Sequence, residues 1–266
     1  MQDIKSSISQ MNALELSAQK NTIIHRLQAP VKIITTVIYL LIIISYGQGQ
    51  VSRLIPCFFY PAVVMALGEI PFKTIAGRLL IALPFSLFAG ISNLMFSRET
   101  AFILGGIAVT AGMVSFASIM LKTALCVTAV LILIATTDMN GLAYGMLSLR
   151  VPPVIVTQIM LTYRYIGVIA EEASVMRHAY LLRAPNEKGI RMKDMGAFLG
   201  QLIIRSFDRS ERIYNAMKCR GYEGRIAYSD REKISLKGWA YITVTSVFFL
   251  LLRFVNVSAL VGSLFL

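Results

Sequence analysis

Five apolar runs, most of them near the length that carries a helix across a bilayer, constrain this chain more than any other feature. The first is "VKIITTVIYLLIIISYG", residues 31–47, and the second is "LIPCFFYPAVVMAL", residues 54–67. The second is short and carries Pro56 and Pro61, so a kink or a steep local distortion is expected there. A third run covers about 75–96, with Pro84 near its middle. The stretch 101–137 is too long for one simple crossing and reads as a short apolar approach followed by a span near 115–136. The fifth is "GWAYITVTSVFFLLLRFV", residues 238–255, with Trp239 and Tyr241 at its interfacial end. Hydrophobic residues make up 56% of the chain, charged residues 15%, and mean hydropathy is +0.67. Those values lie outside the range of an ordinary soluble domain and predict a polytopic membrane protein. The opening residues, "MQDIKSSISQMNALELSAQKNTIIHRLQA", are polar and lack an apolar core with a small-residue cleavage site, so the first run is expected to be a true span.

The net charge of +12 fits a bilayer before it fits nucleic acid, because basic residues collect on the cytoplasmic side and near anionic headgroups. With Lys5, Lys20, Arg26 and Lys32 inside, the loop with Lys73 and Arg78 falls inside too. So does everything between the fourth and fifth spans, while the loops at 47–52 and 97–100 fall outside. Lys122 sits within the fourth span, and it reads either as a partnered or functional cation or as one that snorkels to the headgroups.

Between Asp138 and Lys237 the composition shifts: sixteen Lys or Arg and ten Asp or Glu fall in these hundred residues. The expected division is a cytoplasmic segment 1–29, a membrane domain 30–137, a cytoplasmic domain 138–237, and a final transmembrane helix and tail 238–266. The fold class is all-α, with about five transmembrane helices and two long amphipathic helices in the polar region.

The first of those helices spans 154–183, with Ile159, Ile166, Ile169, Ala173, Met176 and Tyr180 on one side and Arg164, Glu171, Glu172 and Arg177 elsewhere. Pro185 marks its end. The second spans about 193–220, with Leu199, Ile203, Ser206, Ser210, Ile213 and Met217 on one side and Arg205, Arg209 and Arg212 largely around the other. Gly221 is placed to take the left-handed conformation that caps a helix. Each helix therefore finishes on an arginine, Arg183 and Arg220. A single arginine there is explained by the helix dipole, worth about 0.3 to 1 kcal/mol. Two long helices ending the same way, in a chain without a catalytic motif, point instead to a docking device in which each guanidinium pairs with a partner's carboxylate.

At "AMKCRGYEGR", residues 216–225, the chain resembles the transmembrane T subunit of energy-coupling factor transporters, in particular the Q-type subunit of cobalt and nickel importers. Cys219, Arg220 and Gly221 stand in the three positions of that family's second Ala-Arg-Gly-type signature. Leu182, Arg183 and Ala184 stand at the first, where only the arginine matches. "IHRLQAPVK" is similar to the family's N-terminal H-x-L-D-P-R-x-K segment through His25, Leu27 and Lys32, with Gln28, Ala29 and Pro30 departing. The resemblance implies a subunit joining two cytoplasmic ATPases to a substrate-binding membrane protein, the ATPases docking at Leu182, Arg183, Ala184, Cys219, Arg220 and Gly221. It implies that ATP-Mg is bound by those partners and cobalt or nickel by the substrate subunit, with no cofactor on this chain. A T subunit shared by vitamin-binding partners is the alternative within the family.

The rest of the sequence agrees with a non-catalytic role. No GxxxxGK[ST] motif provides a Walker-type nucleotide site. "GGIAVTAG", residues 105–112, reads as close helix packing rather than phosphate binding. Cys57, Cys126 and Cys219 lie far apart and suggest packing residues, and His25 and His178 stand alone, so no metal site is expected. A membrane-embedded enzyme would need acid-base or metal ligands near an interface, and Glu69, Asp138, His25 and His178 form no such spacing. An anchor for a nucleic-acid complex is disfavoured by the mixed charge and ordered amphipathy of the polar region.

Overall fold

The computed structural model describes residues 22, 24–47, 49–96, 100–104, 107–187, 189–224 and 234–254. Most of the segment 1–29 and the tail after Phe254 lie outside the described residues. The elements are α1 (Ala29–Ser45), α2 (Val51–Leu54), a 3-10 turn (Ile55–Phe58), α3 (Phe59–Leu67), α4 (Phe72–Phe96), β1 (Thr100–Leu104) and β2 (Ile107–Thr110). They continue with α5 (Ala111–Thr136), α6 (Met139–Ser148), α7 (Pro153–Arg183), α8 (Met192–Cys219) and α9 (Leu236–Phe254). Among the described residues the chain is all-α apart from one antiparallel hairpin, and α4, α5, α7 and α9 are long and apolar enough to cross a membrane, with α1 and α2–α3 as shorter apolar helices.

Contacts divide the described chain into two compact units, one of residues 22–145 and 234–254, the other of residues 146–224, the division falling inside α6. In the first unit, the distortion expected in the second apolar run takes the form of the 3-10 turn around Pro56. Pro61 falls in the first turn of α3, where its missing N–H costs no hydrogen bond. Pro84 lies inside an uninterrupted α4.

The approach expected before the fourth span is instead the β1–β2 hairpin, paired from Thr100↔Thr110 to Leu104↔Ile107. "TAFIL" and "IAVT" are short, β-branched and apolar about a Gly-Gly dipeptide, the composition of a hairpin. Of "GGIAVTAG", Ile107–Thr110 form β2 and Gly112 is buried in the first turn of α5, while Gly105 and Gly106 lie outside the described residues. Thr110 ends β2 and caps α5 by accepting from the Met113 amide at 3.4 Å.

Tyr39, Ile43, Leu54, Cys57, Leu125, Ala129 and Phe249 form the main core of this unit, joining α1, the 3-10 turn, α5 and α9. The Tyr39 hydroxyl donates to the Cys57 carbonyl at 2.9 Å, and the Tyr39, Tyr60 and Phe249 rings pack with centroids 4.9 to 5.2 Å apart. Two lysines bind α1 to α5 reciprocally. Lys32, near the start of α1, donates to the Thr136 carbonyl at the end of α5 at 2.7 Å and to the His25 carbonyl at 3.1 Å. Lys122, on α5, donates to the Tyr46 carbonyl at the end of α1. Each helix thus sends a cation to the other's C-terminus, where unpaired carbonyls and the dipole favour one. Arg253 adds a 3.2 Å bond to the Ser45 carbonyl and lies over the Tyr46 ring.

The N-terminal segment of the resemblance has a structural role in this unit. His25 offers its carbonyl to Lys32, and Gln28 accepts from the Ser235 amide at 2.8 Å, which ties the start of α1 to the start of α9. Asp138 caps α6 by accepting from the Gly141 amide at 3.1 Å. Gly145 lets α6 lie against α1, since a Cβ there would come within 2.5 Å of Ile33 Cδ1 and 3.3 Å of the Pro30 nitrogen.

Candidate functional site

The candidate site is built on the second unit, from α7 and α8. Pro153 occupies the first turn of α7, where proline is preorganised, and the amides of Ile155 and Val156 turn back onto the Pro152 carbonyl. At the far end the Ala184 amide closes on the Tyr180 carbonyl at 3.0 Å and the Glu187 amide on the Ala184 carbonyl at 3.1 Å, a turn with Pro185 at its second position. Helix α8 starts from an extended Arg191, with Asp194 in its first turn, where the dipole favours an acid.

The two helices meet at two points. At the elbow the Tyr180 hydroxyl donates to Asp194 Oδ2 at 2.6 Å, and Arg191 Nε donates to the same oxygen at 3.0 Å. The Tyr180 hydroxyl, with Arg191 beside it, holds the Asp194 carboxyl below the usual carboxylate range. Further along, Glu172 of α7 takes Arg205 Nη1 on Oε1 at 2.6 Å and Arg209 Nη2 on Oε2 at 3.3 Å. Moving back along α7 corresponds to moving forward along α8, so the pair runs antiparallel away from the elbow.

The expected apolar faces are divided by this geometry. Ala173, Met176 and Tyr180 of α7 and Ser206, Ile213 and Met217 of α8 are half-buried. Ile159, Ile166, Ile169, Leu199 and Ile203 remain exposed. Glu172 and Arg209, expected on solvated faces, are instead partners across the crossing. The signal for this was present in the spacing, because Arg205 and Arg209 stand one turn apart on one side of α8 and suit a single carboxylate.

Both arginines of the expected docking site stand at helix ends. Arg183 is the last residue of α7 and is exposed, beside Leu182, which is 83% exposed, and a half-buried Ala184. Arg220 is the C-cap of α8, and Cys219, Arg220 and Gly221 are all exposed. The end of α8 is a Schellman motif, in which the Tyr222 amide bonds the Met217 carbonyl at 3.0 Å and the Gly221 amide bonds the Lys218 carbonyl at 2.9 Å. Gly221 has φ +80°, a conformation that costs an L-residue roughly 1 to 2 kcal/mol. The motif satisfies the Met217 and Lys218 carbonyls through the backbone. Among the described residues neither Arg183 nor Arg220 has a carboxylate within ion-pair distance.

Arg183 stands beside the elbow and Arg220 at the opposite end of α8, so the tips are separated by about the length of that helix, roughly 40 Å for its 28 residues. They are two separate points rather than one pocket. Among the described residues no three metal-ligating side chains converge. The two histidines are engaged locally: His178 Nδ1–H donates to the Ser174 carbonyl at 2.6 Å, and His25 Nδ1 lies 2.6 Å from Thr22 Oγ1.

The chain is similar along most of its length to known sequences. An uncharacterized protein of Methanocaldococcus jannaschii is 28% identical over 232 residues, covering 83% of this chain and 78% of that relative. A second uncharacterized protein of the same organism is 33% identical over 133 residues, 49% of each chain. The cobalt transport protein CbiQ of Rhodobacter capsulatus is 28% identical over 95 residues, 35% of this chain and 39% of that protein. The family model described as CbiQ, cobalt transport protein, matches residues 20–231, a range that takes in His25, Lys32 and both arginine tips. The chain is a membrane protein and belongs to the CbiQ cobalt transport protein family.

Proposed function

We propose that this chain is the transmembrane coupling subunit of an ATP-driven importer of the energy-coupling factor type, linking two cytoplasmic ATPase subunits to a substrate-binding membrane subunit, with cobalt or nickel as cargo. The observation that carries this reading is the pair of exposed tip arginines, one at the end of α7 and one at the end of α8, each without a carboxylate among the described residues. Since the Gly221 motif already satisfies the end of α8, Arg220 is not needed there as a hydrogen-bonding cap. A guanidinium so placed suits a carboxylate in a partner's groove, and two of them roughly 40 Å apart suit two partners.

On this reading the N-terminus, α7 and α8 are cytoplasmic. Helix α7 is long enough to span, but Arg164, Glu171, Glu172, Arg177 and Arg183 burden it, and Glu172 is engaged with a helix that carries eight charged residues. The apolar helices of the other unit hold the chain in the bilayer. ATP with magnesium belongs to the ATPases, and the metal ion belongs to the substrate subunit. Movement of the ATPases on nucleotide binding is carried by α7 and α8 as rigid rods to the membrane part. The reading is supported by family membership and by the absence of a Walker sequence in this chain.

The test is purification with and without ATPases expressed alongside. The complex should bind and hydrolyse ATP, and the chain alone should do neither. Hydrolysis by the isolated, contaminant-free chain, or failure to retain any ATPase, would defeat the coupling role.

A further inference from the structure

We infer that Glu172 is a positioning residue that fixes the angle between α7 and α8 and, through it, the place of the Arg220 tip relative to α7, an inference that rests on the coupling role proposed above. Two rods joined at one point are free to hinge about it, and a second joint further along sets their angle. The elbow, where Tyr180 and Arg191 meet Asp194, is the first joint. Glu172, with Arg205 on one carboxylate oxygen and Arg209 on the other, is the second. The two joints lie about 12 Å apart along α7 and about 20 Å apart along α8. Beyond the second joint no further ion pair ties α8 to α7 among the described residues, so a swing of about 10° at the elbow displaces the Arg220 tip by about 7 Å over a helix of roughly 40 Å. Such a displacement exceeds what a bidentate guanidinium pair tolerates, because its two parallel bonds hold both groups in one geometry.

The exposure of the clamp decides between a stabilising and a positioning role. The side chains of Glu172, Arg205 and Arg209 are 26%, 48% and 36% exposed. Ion pairs so open to water add little to stability. Their effect here is geometric, since one acid bridges two arginines one turn apart and so resists both sliding and rotation. Removing the acid therefore leaves both helices folded and both tips present, and frees only the angle.

The experiment reads that angle and its consequence separately. Nitroxide labels are placed on Cys219 and on Gln158→Cys, an exposed position near the end of α7 away from the elbow, in a Cys57→Ser, Cys126→Ser background, and distances are measured on the chain in nanodiscs with and without Glu172→Gln. Unlabelled Glu172→Gln is assembled with its ATPases, and cobalt uptake per ATP hydrolysed is measured. The expected result is one narrow distance distribution that broadens in Glu172→Gln, with unchanged recovery of ATPases and a fall of about threefold or more in uptake per ATP. The charge-reversed clamp, Glu172→Arg with Arg205→Glu and Arg209→Glu, should restore both readouts, which a loss of folding would not permit. An unchanged distribution in Glu172→Gln, or full coupling in spite of a broadened one, overturns the inference. Failure of the coupling role is visible elsewhere, in wild-type chains that retain no ATPase while their label distances still respond to Glu172→Gln.

Discussion

Lys32 and Lys122 show how one ionisable residue in an apolar helix is accommodated. The sequence marks Lys122 as unusual and leaves open whether its amine has a partner or snorkels to the headgroups, while it places Lys32 among the basic residues of the cytoplasmic side. The partner is a backbone carbonyl at the end of a helix distant in sequence, and no periodicity within one element points to it. Replacing Lys122 by Met keeps the length of the side chain and strands the Tyr46 carbonyl, at a cost of about 1 to 3 kcal/mol. Thermal unfolding in detergent, followed by reaction of the buried Cys57 with a thiol-reactive dye, should show a lower midpoint for Lys122→Met and for Lys32→Met. Unchanged midpoints would mean that the reciprocal caps contribute nothing. Arg220 was legible for the opposite reason, because its helix end is written locally, in a glycine one position later whose φ of +80° completes the motif.

The long helices were legible as elements, and of their pairing only the one-turn spacing of Arg205 and Arg209 gave a sign. Amphipathic spacing and the flanking Pro185 and Gly221 locate α7 and α8 to within a residue or two of where they start and stop. A helical wheel shows which residues share a face, but not which of two adjacent faces is covered. Arg209, an apparent surface residue, therefore turned out to hold Glu172. The hairpin at 100–110 was missed because a short apolar run beside a span fits helix and strand equally well. The elbow yields a prediction on acid. With the Asp194 carboxyl held low in the folded state, its contacts are complete above the ordinary carboxylate range and are lost as pH falls through the depressed value. The Cys219 to Gln158→Cys label distance should stay narrow at neutral pH and broaden only once the pH has fallen below the ordinary aspartate range. Asp194→Asn, which has no such charge to lose, should be broad at neutral pH and respond less to acid. A distribution that ignores pH in the wild-type chain would remove Asp194 from the elbow.

At the scale of the whole molecule, charge asymmetry predicts that the tips of α7 and α8 lie on the cytoplasmic side. Cys219 is exposed at the tip of α8, Cys57 is buried and Cys126 half-buried among apolar helices, so one thiol reports the side on which the proposed docking site lies. In vesicles stripped of peripheral subunits, a membrane-impermeant maleimide should label Cys219 when the vesicles are inside-out and not when they are right-side-out. Labelling of intact cells would place the tips outside and exclude any contact with ATPases.

The central claim is that Arg183 and Arg220 dock the chain to its ATPases, and co-purification of ATPases with tip variants tests it most directly. If Arg220 serves only the helix dipole, Arg220→Ala should cost about 1 kcal/mol or less and leave assembly intact. If its guanidinium pairs with a buried carboxylate, removal strands that charge, costs about 2 to 5 kcal/mol of association, and reversal is worse. The appropriate control on the same helix is Arg212→Glu, because Arg212 is exposed and has no ion pair among the described residues, whereas Arg209→Glu would set two acids together at Glu172. With membrane insertion shown to be equal, Arg183→Glu and Arg220→Glu should each reduce the ATPase recovered, their combination should abolish it together with uptake, and Arg212→Glu should change it little; full recovery of ATPases with the double variant would contradict the account.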